Sequence, residues 1–154
     1  MEKIQKALIS VSNKDNLESV IDSLKKYKIE IISSGGTYDK IKMLGFKCTE
    51  LSNFTGTNEI LDGRVKTLHP KIYGGILFKR QNKKHLSEIK KKGYESIDLV
   101  IVNFYPFEKV LSNNYSYNKI IENIDIGGPS MVRAAAKNYK DVVVICKPDQ
   151  YKYL

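Results

Sequence analysis

The chain has 154 residues, 42% of them apolar and 28% charged, with a formal net charge of +9. These values fit one globular domain with its own core and exclude a disordered tail, a collagen-like chain and a coiled coil. No stretch reaches the ~18 consecutive apolar residues of a membrane span. The N-terminal MEKIQKALIS lacks the apolar centre of a signal peptide, so the reading is a cytoplasmic protein with no membrane partner.

Cys48 and Cys146 have no second Cys or His at ligand spacing. Neither a metal site nor a disulfide framework is expected, and both read as small buried hydrophobes. The positive charge invites a nucleic-acid reading, but the composition argues against it. Of the 26 cations 23 are Lys, beside 18 Ile and 11 Asn. Those are residues of A/T-rich codons, and the Arg fork suited to phosphate is scarce. No nucleic-acid partner is expected.

ALISV (7–11) is a first-strand candidate. From Asn16 to Tyr27 the apolar residues Leu17, Val20, Ile21 and Leu24 share one face of a helix. IEIIS (29–33) predicts the second strand, followed by Ser-Ser-Gly-Gly-Thr (33–37) and a short helix through Ile41 to Leu44. Phe46 to Leu51 is a further short strand candidate. Residues 52–80 show no sustained period and are too long for an ordinary connection, which marks a functional loop. Asn82 to Gly93 predicts a charged helix. DLVIVNFYPF (98–107) opens as a strand buried on both faces and stops at Pro106. Ser116 is placed to cap a helix through Ile120 and Ile121. MVRAAAKNY reads as a helix with Pro129 in its first turn, and DVVVIC (141–146) as a last buried strand. The alternation predicts an α/β fold: a three-layer α/β/α arrangement around a mainly parallel sheet of about five strands, Rossmann-like in form.

In such folds ligands sit beyond the carboxyl ends of the strands. Ser12, Asn13 and Lys14 follow the first strand, Ser34 to Thr37 the second, and Asn103 and Tyr105 end the central one. Backbone N–H groups at two helix starts favour an anion. Gly35 and Gly36 permit close approach, Ser34 and Thr37 add hydroxyl donors, and Lys14 adds a charge. Bland readings stand beside these. SGGT suits a plain tight turn, and Arg64-Val65-Lys66-Thr67 a surface turn beside Asp62. Asp125 suits a helix-start carboxylate, and Lys137 a cation at a helix C-terminus. GxGxxG and GxxxxGK[ST] are both absent. His69 and His85 have no local nucleophile partner, so a Ser–His or Cys–His hydrolase is not supported.

SVSNK, ISSGGTYDKI, LDGRVKTLHPKIYGGIL, NFYPFEKV and ENIDIGGPSMVRAAAKN resemble the IMP cyclohydrolase domain of the bifunctional AICAR transformylase/IMP cyclohydrolase family. The resemblance runs from about Ala7 to Tyr151. It implies a methylglyoxal-synthase-like fold and the last step of de novo purine synthesis, in which FAICAR closes its ring, loses water and becomes IMP. It implies no metal and no cofactor. The implied substrate contacts are Ser12, Asn13, Lys14, Ser34, Gly35, Gly36, Thr37, Arg64, Val65, Lys66, Thr67, Asn103, Phe104, Asp125 and Ile126. The implied proton donor/acceptor is Lys137, helped by Lys66, Tyr105 and Asp125. A homodimer is implied for the full-length family protein. Residues 1–154 are expected to be one cyclohydrolase domain cut short at its C-terminus, without the transformylase domain.

One departure concerns the phosphate. The family has Asp-Lys-Thr-Gly where this chain has Asn13-Lys14-Asp15-Asn16, so Asp15 is expected to bring a negative charge near it. Two other functions of the same fold stand as alternatives: a non-catalytic nucleotide-binding module, and methylglyoxal synthase, against which GRVKTLHPK speaks.

Overall fold

The computed structural model describes residues 3–113 and 115–154. Strands β1 (Lys6–Val11), β2 (Glu30–Ser33), β3 (Thr49–Glu50), β4 (Leu99–Asn103) and β5 (Val143–Ile145) pair in parallel in the order β3-β2-β1-β4-β5. The apolar runs that predicted buried strands are buried on both faces. Ala7, Ile9 and Val11 of β1 and Leu99 and Ile101 of β4 enter one core, while Leu8, Val100 and Val102 enter the other. Side chains alternate across a strand, so a continuous apolar run serves two layers of helices.

The first core is closed by α1 (Leu17–Lys26), through Leu17, Val20, Ile21 and Leu24, and by Ile41 of α2 (Gly35–Met43). Tyr151, in the short 3-10 helix Pro148–Tyr153, seals its edge. The second core is closed by α3 (Leu51–Thr55), α4 (Pro70–Leu77) and α8 (Gly127–Lys137), with Phe54, Ile72, Ile76, Met131 and Ala135 at its centre. Three peripheral helices, α5 (Lys83–Lys91), α6 (Phe107–Ser112) and α7 (Tyr117–Glu122), and a single 3-10 turn at Leu61–Gly63 complete the described elements. Among the described residues no helix is long and apolar enough to cross a membrane.

Several local expectations are corrected. The helix after β2 begins at Gly35, so Gly-Gly-Thr is its first turn and not a separate loop. The strand expected over 46–51 shrinks to Thr49–Glu50, because Leu51 already starts α3. The segment 52–80 contains the whole of α4, hidden in sequence by Gly74-Gly75. A Cβ on Gly75 would lie 2.5 Å from the Glu95 carbonyl oxygen, so this pair serves close packing and not a turn. The central strand stops at Asn103, before Pro106, and α6 follows where no helix was expected.

Candidate active site

Between the carboxyl ends of β1 and β4 the chain departs in opposite directions across the sheet, the switch point at which open α/β sheets form a crevice. A cavity of about 570 Å³ opens there, within the range of small-molecule sites. Its floor is fixed by Asn103. The Asn103 Oδ1 accepts from the Ser12 and Asn13 N–H groups at 2.7 and 2.9 Å, and its Nδ2 donates to the Asn13 carbonyl at 2.7 Å. Asn13 in turn accepts the Asp15 N–H on its own side chain, and Asn16 turns through a left-handed conformation into α1. The loop that carries Lys14 is thereby rigid from both ends.

The first turn of α2 forms one wall. Ser33 and Thr37 bond their hydroxyls to β1 carbonyls, Ile9 at 2.8 Å and Val11 at 3.0 Å. The Thr37 proton is thus committed to the scaffold, whereas the Ser34 hydroxyl lines the cavity with no partner among the described residues. Two ammonium groups converge on this turn. A Cβ on Gly35 would lie 2.9 Å from the Lys66 Nζ, and one on Gly36 3.9 Å from the Lys14 Nζ. A nine-residue helix start with two cations suits a phosphate by dipole, N–H donors and charge together.

The opposite wall is the start of α8. Asp125 Oδ1 accepts the Gly128 N–H at 2.9 Å, which caps the helix and leaves Oδ2 without a partner among the described residues. A Cβ on Gly127 would meet the Thr67 Oγ1 at 2.2 Å, so only glycine lets Thr67 and α8 approach here. Tyr105, Ile121, Ile124 and Ile126 give this side an apolar surface, and all four are exposed. At the mouth Glu122 accepts from both Nε and Nη2 of Arg64, and Glu59 lies 3.7 Å from Lys66. The hydrogen bond and charge of Arg64 hold the Glu122 carboxyl below its ordinary range, and the same pair raises Arg64.

Of the residues singled out in sequence, Ser12, Lys14, Ser34, Gly36, Thr37, Arg64, Lys66, Thr67, Asn103, Tyr105, Asp125 and Ile126 line this cavity. Asn13, Gly35, Val65 and Phe104 lie just outside its wall. Asp15 is exposed and also outside it. Lys137 is not among the residues that line the cavity. It is exposed at the C-terminal end of the α8 helix, whose other end forms the wall. Ten residues at 1.5 Å rise put it about 15 Å from Gly127, too far to reach the cavity of its own chain.

Glu59, Ile121, Glu122 and Ile124 also line the cavity without having been singled out. No local spacing could reveal them, since Glu122 meets Arg64 across 58 residues of sequence. The histidines cap structure: His69 Nδ1 accepts the Lys71 N–H and His85 Nδ1 the Lys79 N–H, each at 3.1 Å. The cysteines are half-buried and not fully buried, and burial pushes the Cys48 thiol up to about 11.

Residues 16–130 match the MGS-like domain. The chain is 52% identical over 148 residues to the bifunctional purine biosynthesis protein PurH of Clostridium acetobutylicum, covering 96% of this chain and 30% of that protein. It is 53% identical over 148 residues to the PurH of Oceanobacillus iheyensis, covering 96% and 29%. It therefore spans about 30% of the length of these curated relatives and corresponds to their small MGS-like part. The structure described as "Crystal structure of ForH" superposes with a TM-score of 0.83 at 31% identity, over 98% of this chain and 77% of that one. With this match over most of its length and the all-parallel sheet, the chain belongs to the MGS-like domain family.

Proposed function

We propose that this chain is an IMP cyclohydrolase of purine biosynthesis, closing FAICAR to IMP in the cytoplasm. The observation that carries the reading is the juxtaposition, in one cavity, of a phosphate-suited α2 start with Lys14 and Lys66 and of Asp125 with a spare oxygen. The phosphate would rest on the first turn of α2. The heterocycle would lie against Tyr105, Ile121, Ile124 and Ile126.

The reaction needs little beyond positioning, because nucleophile and electrophile belong to one molecule. The carboxamide nitrogen attacks the formyl carbon. The Asp125 Oδ2 takes a proton from that nitrogen, and the Lys66 ammonium hydrogen-bonds the developing oxyanion and protonates it. The hydroxyl then leaves as water with the proton that Asp125 took up, while the former formamide nitrogen gives its own proton back to Lys66 and the new C=N bond completes the ring. The Tyr105 hydroxyl stands on the same side as a further donor. No metal or cofactor enters this scheme.

The resemblance gives Lys137 a proton role, and its distance from its own cavity leaves that role to a second copy in a homodimer. The same distance favours one alternative, a module that binds a purine nucleotide without turning it over.

The test is to add FAICAR to the purified protein and follow IMP formation, with Asp125→Asn and Lys66→Ala beside the wild type. Turnover that falls by about a hundredfold or more in each variant supports the assignment. IMP binding without turnover in the wild type selects the non-catalytic module. Absence of both sinks the nucleotide reading.

A further inference from the structure

The cavity is charged against the chain. The protein carries +9 overall, yet Glu59, Asp62, Glu122 and Asp125 face only Lys14, Arg64 and Lys66 along the wall. Asp125 belongs to the α8 cap. The other three carboxylates are exposed and sit at the mouth.

Their arrangement is not dictated by the core. Arg64 follows a turn in which Leu61, Asp62 and Gly63 all adopt left-handed backbone, a conformation that costs a non-glycine residue about 1 kcal/mol or more. Glu122 ends α7. Neither the 61–63 turn nor α7 contains a buried residue. What joins these two segments across the mouth is the two-pronged Arg64–Glu122 contact. Both side chains are more than half exposed, and such a pair is weak enough for a competing anion to break.

Resting on the nucleotide reading, we propose that Glu122 is a specificity-determining residue that sets the phosphate charge this site accepts. A monophosphate on the α2 turn is matched by Lys14 and Lys66 and can draw the Arg64 fork away from Glu122. A further phosphoryl group that extends from there toward the mouth meets Glu122, Glu59 and Asp62, which line the same cavity and repel it. The site then accepts a nucleoside monophosphate and rejects the di- and triphosphates that share its base. Glu122 discriminates by placing an unfavourable charge against the wrong ligand.

The experiment is calorimetric titration of the whole protein with IMP and with inosine triphosphate, without divalent cation, at one ionic strength. The proteins are the wild type, Glu122→Gln and the control Glu88→Gln, which removes an equal charge on exposed α5. Glu122 is exposed, so its substitution leaves the fold intact. The expected result is a wild-type preference for IMP. Glu122→Gln should strengthen triphosphate binding about tenfold while changing IMP affinity by less than about threefold. Glu88→Gln should leave the preference unchanged. An unchanged preference in Glu122→Gln, or an equal gain in Glu88→Gln, overturns this proposal alone. A wild type that binds neither nucleotide overturns it together with the nucleotide reading.

Discussion

Asn103 holds the peptide groups around Asn13 from both sides, accepting the Asn13 N–H at 2.9 Å and donating to the Asn13 carbonyl at 2.7 Å. One side chain from the end of β4 thus splices the loop after β1 to the strand beside it. Its oxygen is shared with the Ser12 N–H, so most of its hydrogen-bonding capacity is spent on backbone. The expected substrate contact is therefore first a positioning device for Lys14. Asn103→Ala unpairs three backbone groups and should cost about 1–3 kcal/mol in denaturant unfolding. IMP affinity should fall with it. Retained affinity at reduced stability would mean that the loop needs no clamp.

Gly35 and Gly36 should behave differently despite their adjacency. Gly35 has φ +52°, and its added Cβ would press on the Lys66 ammonium at 2.9 Å, whereas at Gly36 the added Cβ makes ordinary contact with Lys14. Gly35→Ala should destabilise the fold by about 1 kcal/mol and displace Lys66, weakening IMP binding several-fold or more. Gly36→Ala should be near neutral in both. Titration of the two variants side by side decides the matter, and equal behaviour would refute the assigned geometry.

The opposite end of the sheet carries a stability network. Arg80 is buried, with its guanidinium on the carbonyls of Phe78, Gly75 and Ile97 and on Asp98 at 3.2 Å. Asp98 also accepts the N–H groups of Gln5 and Lys6. Removing Arg80 strands several buried acceptors and a carboxylate. Arg80→Ala should cost about 3–5 kcal/mol, seen as a thermal midpoint lowered by roughly 10 °C. Arg80→Lys restores the charge but not the fork and should recover only part of the loss.

Cys48 provides a pH readout. Desolvation is the main cause of its raised pKa of about 11, set against an ordinary 9.0 and slightly opposed by Lys42. At pH 8 only about one thiol in a thousand is ionised, and the thiolate is the reactive form. Alkylation of Cys48 in the folded protein should be slow at pH 8 and rise tenfold per pH unit up to about 11. The sign of the stability effect follows. The unfolded chain releases this proton first, so the contribution of the neutral thiol is complete below pH 9 and is lost as pH rises through 11.

A cross-copy role for Lys137 predicts complementation. Lys137→Ala and Asp125→Asn proteins should each be inactive, and an equal, re-equilibrated mixture should recover about a quarter of wild-type turnover. Random pairing makes half the dimers mixed, each with one intact site. A mixture no more active than its parts would exclude a shared site.

The layered α/β architecture was legible in the residue pattern alone. The apolar run Leu99–Val102 and the i, i+3, i+4, i+7 face of α1 are local signals of burial, and burial is what the sheet and its helices respond to. The motif around Arg64 to Thr67 and the turn at Ser34 to Thr37 were legible for the same reason, being short and contiguous. Helix α4 was not, since Gly74-Gly75 looks like a turn until the Glu95 carbonyl is seen to need that space. It took the folded chain to show that Glu122 meets Arg64, that Thr37 spends its proton on Val11, and that Lys137 stands at the far end of the helix that walls the site. Those facts depend on which segments the sheet order brings together, and contact between distant segments leaves no periodicity in the chain.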